Sequence, residues 1–489
     1  MHTTSRRSFL KAVTTTMAAA SLGLRCNVQK QPLNVILIIG DDISWNDFGC
    51  YGHPTIRTPH VDKLAVEGIR FTNTFLTASS CSPSRCSLIS GRYPHNTGAA
   101  ELHTPLPADQ LPFPLRLKEN GYYCAQAGKW HMGPDAKRAF DEVRDQWGPD
   151  DPGAEGEWLP LLKERPQDQP FFMWFASIDA HRGWDDKIFL DRHAPEDAVV
   201  PDYLADAPPT RNDLARYYDE ISRLDYFVGE IENELEQQGV ADNTMIIFMA
   251  DNGRPFPRCK TRVYDSGMKT PFVIKWPQGI KRPGQVCESL ISTIDIAPTI
   301  LDVCGIPVDE SFQGKSFAPL FTSPEKPFRN VVFSEHNWHD FEALERMART
   351  DNYLYVLNER PQFPNCGPAD SNRSASQEDL DSLYAANALS PEQRDIFIAP
   401  RPREELFDLQ HDPEQFQNVA GDPKYADALT EMRALMTQWR RETADTTPEH
   451  LTPDWYVRFK GTPLDIERQR GEMSGAAKQA TQVHAKGPF

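Results

Sequence analysis

The chain has 489 residues, enough for one large domain and a smaller one. A hydrophobic share of 39% and a charged share of 25% describe an ordinary globular protein. The formal net charge of -18 argues against a nucleic-acid partner, which would need a basic face. It leaves room for an anionic sugar, because a few convergent cations and a metal can set the field inside a cleft.

At the N-terminus, Ser5-Arg6-Arg7-Ser8-Phe9-Leu10-Lys11 precedes a weakly apolar run of small residues, 12–24. That pattern predicts a Tat signal over residues 1–30 and an exported bacterial protein, periplasmic or secreted, that uses the Tat machinery. A chance Arg-Arg pair in a polar tail is the plainer alternative. Arg25 fits a lipoprotein anchor at Cys26 poorly. No later stretch is apolar enough to span a membrane. The other cysteines, Cys50, Cys81, Cys86, Cys124, Cys259, Cys287, Cys304 and Cys366, lack zinc-ribbon spacing and leave room for one or two disulfides.

Next comes Asn34-Val35-Ile36-Leu37-Ile38-Ile39, which reads as a buried parallel strand ending at Gly40-Asp41-Asp42. Residues 171–177 and 244–250 read alike and end at Asp179-Ala180-His181 and Asp251-Asn252-Gly253. Three apolar strands delivering polar groups at one end predict an open α/β sheet with its site at the strand C-termini. Residues 212–238 carry an apolar stripe, Leu214, Tyr217, Ile221, Leu224 and Val228 among it, that predicts a core-packing helix. From 329 onward, strand-like 331–333, 353–356 and 405–408 and a helix over 423–442 predict a smaller α+β domain. Residues 361–390 read as an irregular inserted loop. The divisions are a signal over 1–30, a catalytic domain over 31–328, the smaller domain over 329–460 and a polar, poorly ordered tail over 461–489.

Three clusters carry chemistry. Asp41-Asp42 and Asp251-Asn252 offer three carboxylates and one amide oxygen, an all-oxygen set suited to Ca²⁺ or Mg²⁺. Either pair alone is more often a strand-end turn or helix cap; both follow apolar strands here. Cys81-Ser82-Pro83-Ser84-Arg85-Cys86-Ser87-Leu88-Ile89-Ser90-Gly91-Arg92 sits where a loop enters a helix, and helix N-terminal amides suit an anion. Gly128-Lys129-Trp130-His131-Met132-Gly133 pairs a cation with an imidazole, whose ordinary pKa suits a general base.

Cys81-Ser82-Pro83-Ser84-Arg85 and its extension resemble the maturation motif of the formylglycine-dependent type I sulfatases, in the alkaline phosphatase superfamily. Gly128–Gly133, His181 and Lys260 in Lys260-Thr261-Arg262-Val263-Tyr264-Asp265-Ser266-Gly267-Met268-Lys269-Thr270-Pro271 resemble further motifs in family order. The resemblance implies an alkaline phosphatase-like α/β fold, a large mixed sheet flanked by helices, with a short antiparallel sheet in the C-terminal domain. It implies that a formylglycine-generating maturation enzyme oxidises Cys81 to an aldehyde. One hydroxyl of the hydrated aldehyde attacks sulfur and the second expels sulfate. Asp41, Asp42, Asp251, Asn252 and position 81 would bind one calcium ion. Arg85, Lys129, His131, His181 and Lys260 would surround the sulfate, with His131 as base and His181 a candidate to protonate the leaving oxygen. Asp47 and Lys269 read as structural.

Asp251-Asn252-Gly253-Arg254-Pro255-Phe256, Asp179-Ala180-His181-Arg182 and Trp439-Arg440-Arg441-Glu442-Thr443 are similar to the heparan N-sulfatase (sulfamidase) branch, and bacterial polysaccharide sulfatases share such features. Lys260 stands where that branch tends to carry arginine, so N- and O-sulfate both stay open. The expected substrate is a sulfated carbohydrate attacked at a chain end. Candidate sugar contacts are His103, His336, Asn337, Trp338 and His339, with Trp338 as a stacking platform; packed loop residues are the even alternative. The rivals are a phosphonate or phosphate monoester hydrolase of the same superfamily and a non-catalytic glycan-binding protein whose Cys81 stays a thiol.

Overall fold

The computed structural model describes residues 31–148, 150–184 and 190–489. The expected signal over 1–30, with Arg6, Arg7 and Cys26, lies outside them. Among the described residues nine strands come first, before a short tenth that pairs in parallel with the third. These are β1 (Asn34–Gly40), β2 (Ile69–Phe71), β3 (Thr74–Phe75), β4 (Tyr123–Gly128), β5 (Glu142–Arg144), β6 (Phe171–Ala176), β7 (Thr244–Ala250), β8 (Phe272–Lys275) and β9 (Gln285–Cys287). Then follow β10 (Ile291–Ser292), β11 (Val332–His336), β12 (Glu345–Arg349), β13 (Tyr353–Asn358) and β14 (Glu404–Asp408).

The large sheet runs β5-β4-β6-β1-β7-β8-β2-β9. β1 lies parallel between β6 and β7, with Leu37 opposite Trp174 on one side and Ile247 on the other. β8 is antiparallel to both β7 and β2, which makes the sheet mixed, as expected. β1 reads as unbroken apolar sequence because both of its faces are covered. Val35, Leu37 and Ile39 share a core with Leu88 and Ile89 of the helix Cys81–Ser90 and with Ile296 and Ile300 of the helix Ile296–Val303. Ile36 and Ile38 share the opposite core with Tyr217, Ile221, Leu224 and Val228 of the long helix Pro208–Gln237. The predicted apolar stripe is therefore core.

β11-β12-β13-β14 form the second, wholly antiparallel sheet. One face packs against Leu429, Met432, Met436 and Trp439 of the helix Ala426–Glu442, with the Trp439 ring stacked on Phe333 at 4.9 Å. β12 has no apolar run and was not foreseen; its strand state comes from pairing between β11 and β13.

Two expectations need correction. Residues 361–390 are not simply an irregular loop. They contain the helix Ala375–Ala385, capped by Ser374, whose side chain accepts from the Gln377 N–H. The polar tail is irregular but tied down: Asn96 donates to the Ala480 carbonyl at 2.7 Å, Arg92 to Val483 at 2.8 Å and Arg470 to Glu101 at 2.8 Å. Its polarity serves hydrogen bonding to the main body. Among the described residues no helix is long and apolar enough to cross a membrane. The eight cysteines among them are all free.

Candidate active site

β4, β6, β1 and β7 run parallel, so their C-terminal ends open at one edge. Backbone bonds tie the four exits together. The Lys129 N–H donates to Ala176 at 2.8 Å, Ser177 to Ile39 at 2.9 Å and Asp251 to Gly40 at 3.1 Å. Lys129, His181, Asp41-Asp42 and Asp251-Asn252 are thereby delivered to one place, as an open α/β sheet does with its ligand-binding residues.

Cys81 is the first residue of its helix and is almost fully buried. Its Sγ lies 3.5 Å from Asp41 Oδ1 and 3.8 Å from Asp42 Oδ1. Arg85 follows one turn later on the same face. Its Nε donates to Asp251 Oδ2 at 2.8 Å, and its Nη1 donates to the Lys129 carbonyl at 3.3 Å. Burial, then Asp41, hold the Cys81 thiol well above its ordinary range. The unmodified thiol is therefore no thiolate nucleophile near neutrality.

Asp41 pairs with Lys129, and Asp42 Oδ2 accepts from Lys260 Nζ at 2.6 Å. His181 Nε2 stands 3.9 Å from the same Asp42 oxygen. Burial raises the Asp42 carboxyl although Lys260 and His181 oppose it. Burial and Asp41 push Asp251 up to about 7 against Arg85 and Lys129. Burial would raise Asp41 too, but Lys129, His181, Arg85 and Lys260 hold it well below the usual carboxylate range.

Three buried carboxylates thus face three permanent cations, Arg85, Lys129 and Lys260, and two of the three still resist ionisation. A divalent cation would relieve them and leave charge balance for one sulfate ester anion and one further negative group. Asn252 supports the same reading. Its Nδ2 donates to Asp42, while its buried Oδ1 has no hydrogen-bond partner among the described residues. An orphaned buried acceptor beside three carboxylates fits a hard cation with oxygen ligands. Asp41, Cys81 and Asp251 present ligand atoms within 4.8 Å of one another.

His131 lies against His103, with His131 Nε2 2.6 Å from His103 Nδ1. Burial, then Lys129, His103 and Arg85, push the His131 imidazole down to about 2, so it stays neutral. Its Nδ1 is buried without a hydrogen-bond partner among the described residues. The downward shift departs from the ordinary imidazole pKa expected of a general base: burial and the positive charges of Lys129 and Arg85 disfavour protonation of this ring. Asp42, His103 and His131 all have positive φ, at 58°, 62° and 57°. Such backbone conformations persist where surrounding structure over-determines them, as at functional sites.

The second sheet brings further groups. His339 Nδ1 bonds Ser80 Oγ at 2.7 Å, directly before Cys81. Asp370 Oδ2 stands 3.4 Å from Lys260 Nζ and 3.6 Å from His181 Nε2. Asp370 was missed, because nothing in the polar stretch around it signals a site and it lies 110 residues beyond Lys260.

Other candidate sugar contacts are spent elsewhere. Trp338 is 3% exposed, its Nε1 donates to Pro453 at 2.8 Å, and its ring packs on Trp455 at 4.4 Å. It has no free face for a sugar. Asn337 bridges Glu335 and Arg346, and His336 is buried beside Arg262. Asp47 accepts from Arg254 at 2.7 Å and from the Tyr217 hydroxyl at 2.6 Å, a structural role. The Lys269 ammonium sits over the Trp45 ring at 4.0 Å.

Comparison with known proteins gives the family. A family model described as Sulfatase matches residues 33–306, and one described as N-sulphoglucosamine sulphohydrolase, C-terminal, matches 259–356. The human N-sulphoglucosamine sulphohydrolase is 30% identical over 480 residues, covering 88% of this chain and 94% of that protein. An ulvan-active sulfatase of Formosa agariphila is 30% identical over 456 residues, covering 82% of this chain and 74% of that one. The fold matches that of a protein solved with its substrate D-glucosamine-2-N,6-O-disulfate, at a TM-score of 0.66 and 20% identity, covering 84% of this chain and 98% of that one. The chain belongs to the sulfatase family of the alkaline phosphatase superfamily and is a sulfuric ester hydrolase.

Proposed function

We propose that the chain removes sulfate groups from sulfated carbohydrates, using Cys81 matured to formylglycine and a calcium ion bound by Asp41, Asp42, Asp251, Asn252 and position 81. The observation that carries this reading is the meeting of Cys81 with three buried carboxylates on one side and Lys129, Lys260 and His181 on the other. Named substrates among the related proteins, glucosamine sulfates and ulvan, support a saccharide. N- and O-sulfate both fit. The Arg6-Arg7 leader supports export to the periplasm or beyond.

The bound cation would supply Lewis-acid stabilisation of the hydroxyl at position 81 and of a sulfate oxygen. The rest falls to the chain. Lys129 and Lys260 place two ammonium groups beside the reacting centre and neutralise sulfate oxygens. Arg85, held by Asp251, keeps the helix start and the strand ends in register. His131, from its place in the Gly128–Gly133 motif, is the proposed base toward the hydroxyl at position 81, a role that needs bound anionic substrate to offset Lys129 and Arg85. His181, about one third exposed, is the proposed donor to the leaving oxygen.

The test is mass spectrometry of the peptide containing Cys81 from natively produced protein, followed by a panel of defined sulfated saccharides with phosphonate esters as control. An aldehyde at position 81 with sulfate release is the expected result. A retained thiol would sink the formylglycine reading, and faster phosphonate than sulfate turnover would reassign the substrate.

A further inference from the structure

Asp370 puts a carboxylate into a wall otherwise built to hold an anion. A negative group there repels sulfate oxygens and makes no direct contribution to holding them. It is nevertheless firmly built. The Ala369 N–H donates to Asp340 Oδ2 at 2.9 Å, and Asn372 Nδ2 donates to the Gly367 carbonyl at 3.0 Å. The following helix is pinned to the long helix through Ser376 on Asp213 at 2.7 Å and Thr210 on Asp379 at 2.7 Å. Such a turn is preorganised, and its carboxylate is held at a fixed place.

The two oxygens of Asp370 differ. Oδ1 accepts from the Ser371 N–H at 2.7 Å and serves the turn. Oδ2 faces Lys260 and His181 at 3.4 and 3.6 Å, longer than a good charge-assisted bond, and retains lone-pair capacity. It is partly open, with the side chain 21% exposed. On the proposed function His181 is the donor to the leaving oxygen. An acceptor beside His181 therefore meets whatever the sugar carries on the carbon next to the scissile sulfate.

Resting on the sulfatase reading above, we infer that Asp370 is a specificity-determining residue that accepts a hydrogen bond from a hydroxyl or amine vicinal to the scissile sulfate. The same charge selects against saccharides bearing a second anionic group at that position. A site built to bind a substrate donor discriminates strongly against the analogue lacking it, and a fixed like charge adds rejection.

The experiment compares kcat/KM of wild type, Asp370→Asn and Asp370→Ala on three sulfated pyranosides. One carries a free hydroxyl next to the scissile sulfate, one is deoxy there, and one carries a second sulfate there. Asp370→Asn keeps the shape and an acceptor for Ser371, so it separates charge from folding. Its thermal unfolding is checked against wild type. The expected result is a loss of about 10- to 100-fold on the hydroxyl substrate with each variant, little change on the deoxy one and a gain on the disulfate. Equal losses on all three would overturn the assignment and leave Asp370 as a support for Lys260 and His181. No turnover of any of the three sulfate esters by wild-type protein carrying the position-81 aldehyde would overturn the carbohydrate reading on which this assignment rests, a result distinct from equal losses among the variants.

Discussion

The strand-end centre and the rim supplied by the second sheet differ in how they are encoded. In the centre, Asp41, Asp42, Asp251 and Asn252 each follow directly on an apolar strand, and Cys81 and Arg85 share one helical turn. The chemistry is fixed by short stretches whose positions the strands dictate. In the rim, Asp370 and His339 come from far along the chain and reach the site only because the second sheet and the 361–390 segment pack against the first. The centre is closed and charge-balanced, whereas the rim is partly open. On the proposed function, reaction chemistry and substrate choice fall to parts of the fold that can vary separately.

That contrast predicts a graded set of effects. The largest should come from Cys81→Ala, which should lower kcat/KM for sulfate esters by about 10⁴-fold or more. The thermal unfolding midpoint should barely move, because the thiol's hydrogen bonds among the described residues, to Asp41 and Asp42, are both long. Loss of folding together with loss of activity would mean that position 81 supports structure first. Next, removing divalent cations with a chelator should cut activity by about 10³-fold or more. Calcium should restore it and raise the unfolding midpoint by several degrees, since a ligand bound only by the folded state stabilises it. An unfolding midpoint indifferent to calcium would break the reading of Asn252 and the three carboxylates as a cation site.

The legibility of the molecule follows the same division. β1, β6 and β7 were readable because burial on both faces leaves them apolar after the first residues, Asn34 in β1 and Thr244 in β7, and the polar residues that end each run are the candidate site. The long helix was readable from its stripe. β12, Glu345–Arg349, was not, because two charged ends and a short centre acquire strand structure from neighbours on both sides. Asp370 was not, since its chemistry exists only next to Lys260 and His181. Trp338 shows the opposite failure. An aromatic in a loop between candidate histidines reads as a sugar platform, yet Trp455 and Arg470 cover its ring.

Lys260 joins the two regions, bonded to Asp42 in the centre and facing Asp370 in the rim. Lys260→Ala should lower kcat/KM by about 10²–10³-fold on every sulfate ester, the size expected for one preorganised cation at developing charge. Unlike the Asp370 variants, it should leave the ranking among vicinal hydroxyl, deoxy and sulfate substrates largely intact. Kinetics on the same three pyranosides check this, and a changed ranking would show that centre and rim do not separate at Lys260.

The smallest effect concerns the support of the rim. Asp340 accepts the Ala369 N–H that anchors the Asp370 turn. Burial pushes its carboxyl up to about 6, the Ala369 N–H opposes, and Asp370 adds to the rise. A carboxyl raised in the folded state binds its proton more tightly there than in the unfolded chain. Its stabilising contribution is complete below the ordinary carboxylate pKa and is lost as pH rises through about 6. Asp340→Asn removes that loss and keeps an acceptor for Ala369. Denaturant unfolding at pH 4.5 and 7.5 should therefore show the variant gaining about 1–2 kcal/mol relative to wild type at the higher pH. The Cys81 centre, two residues' reach beyond this turn through Asp370 and Lys260, should keep its activity on the deoxy substrate. A variant equally destabilised at both pH values would mean that the Asp340 carboxylate is needed in its charged form to hold the rim in place.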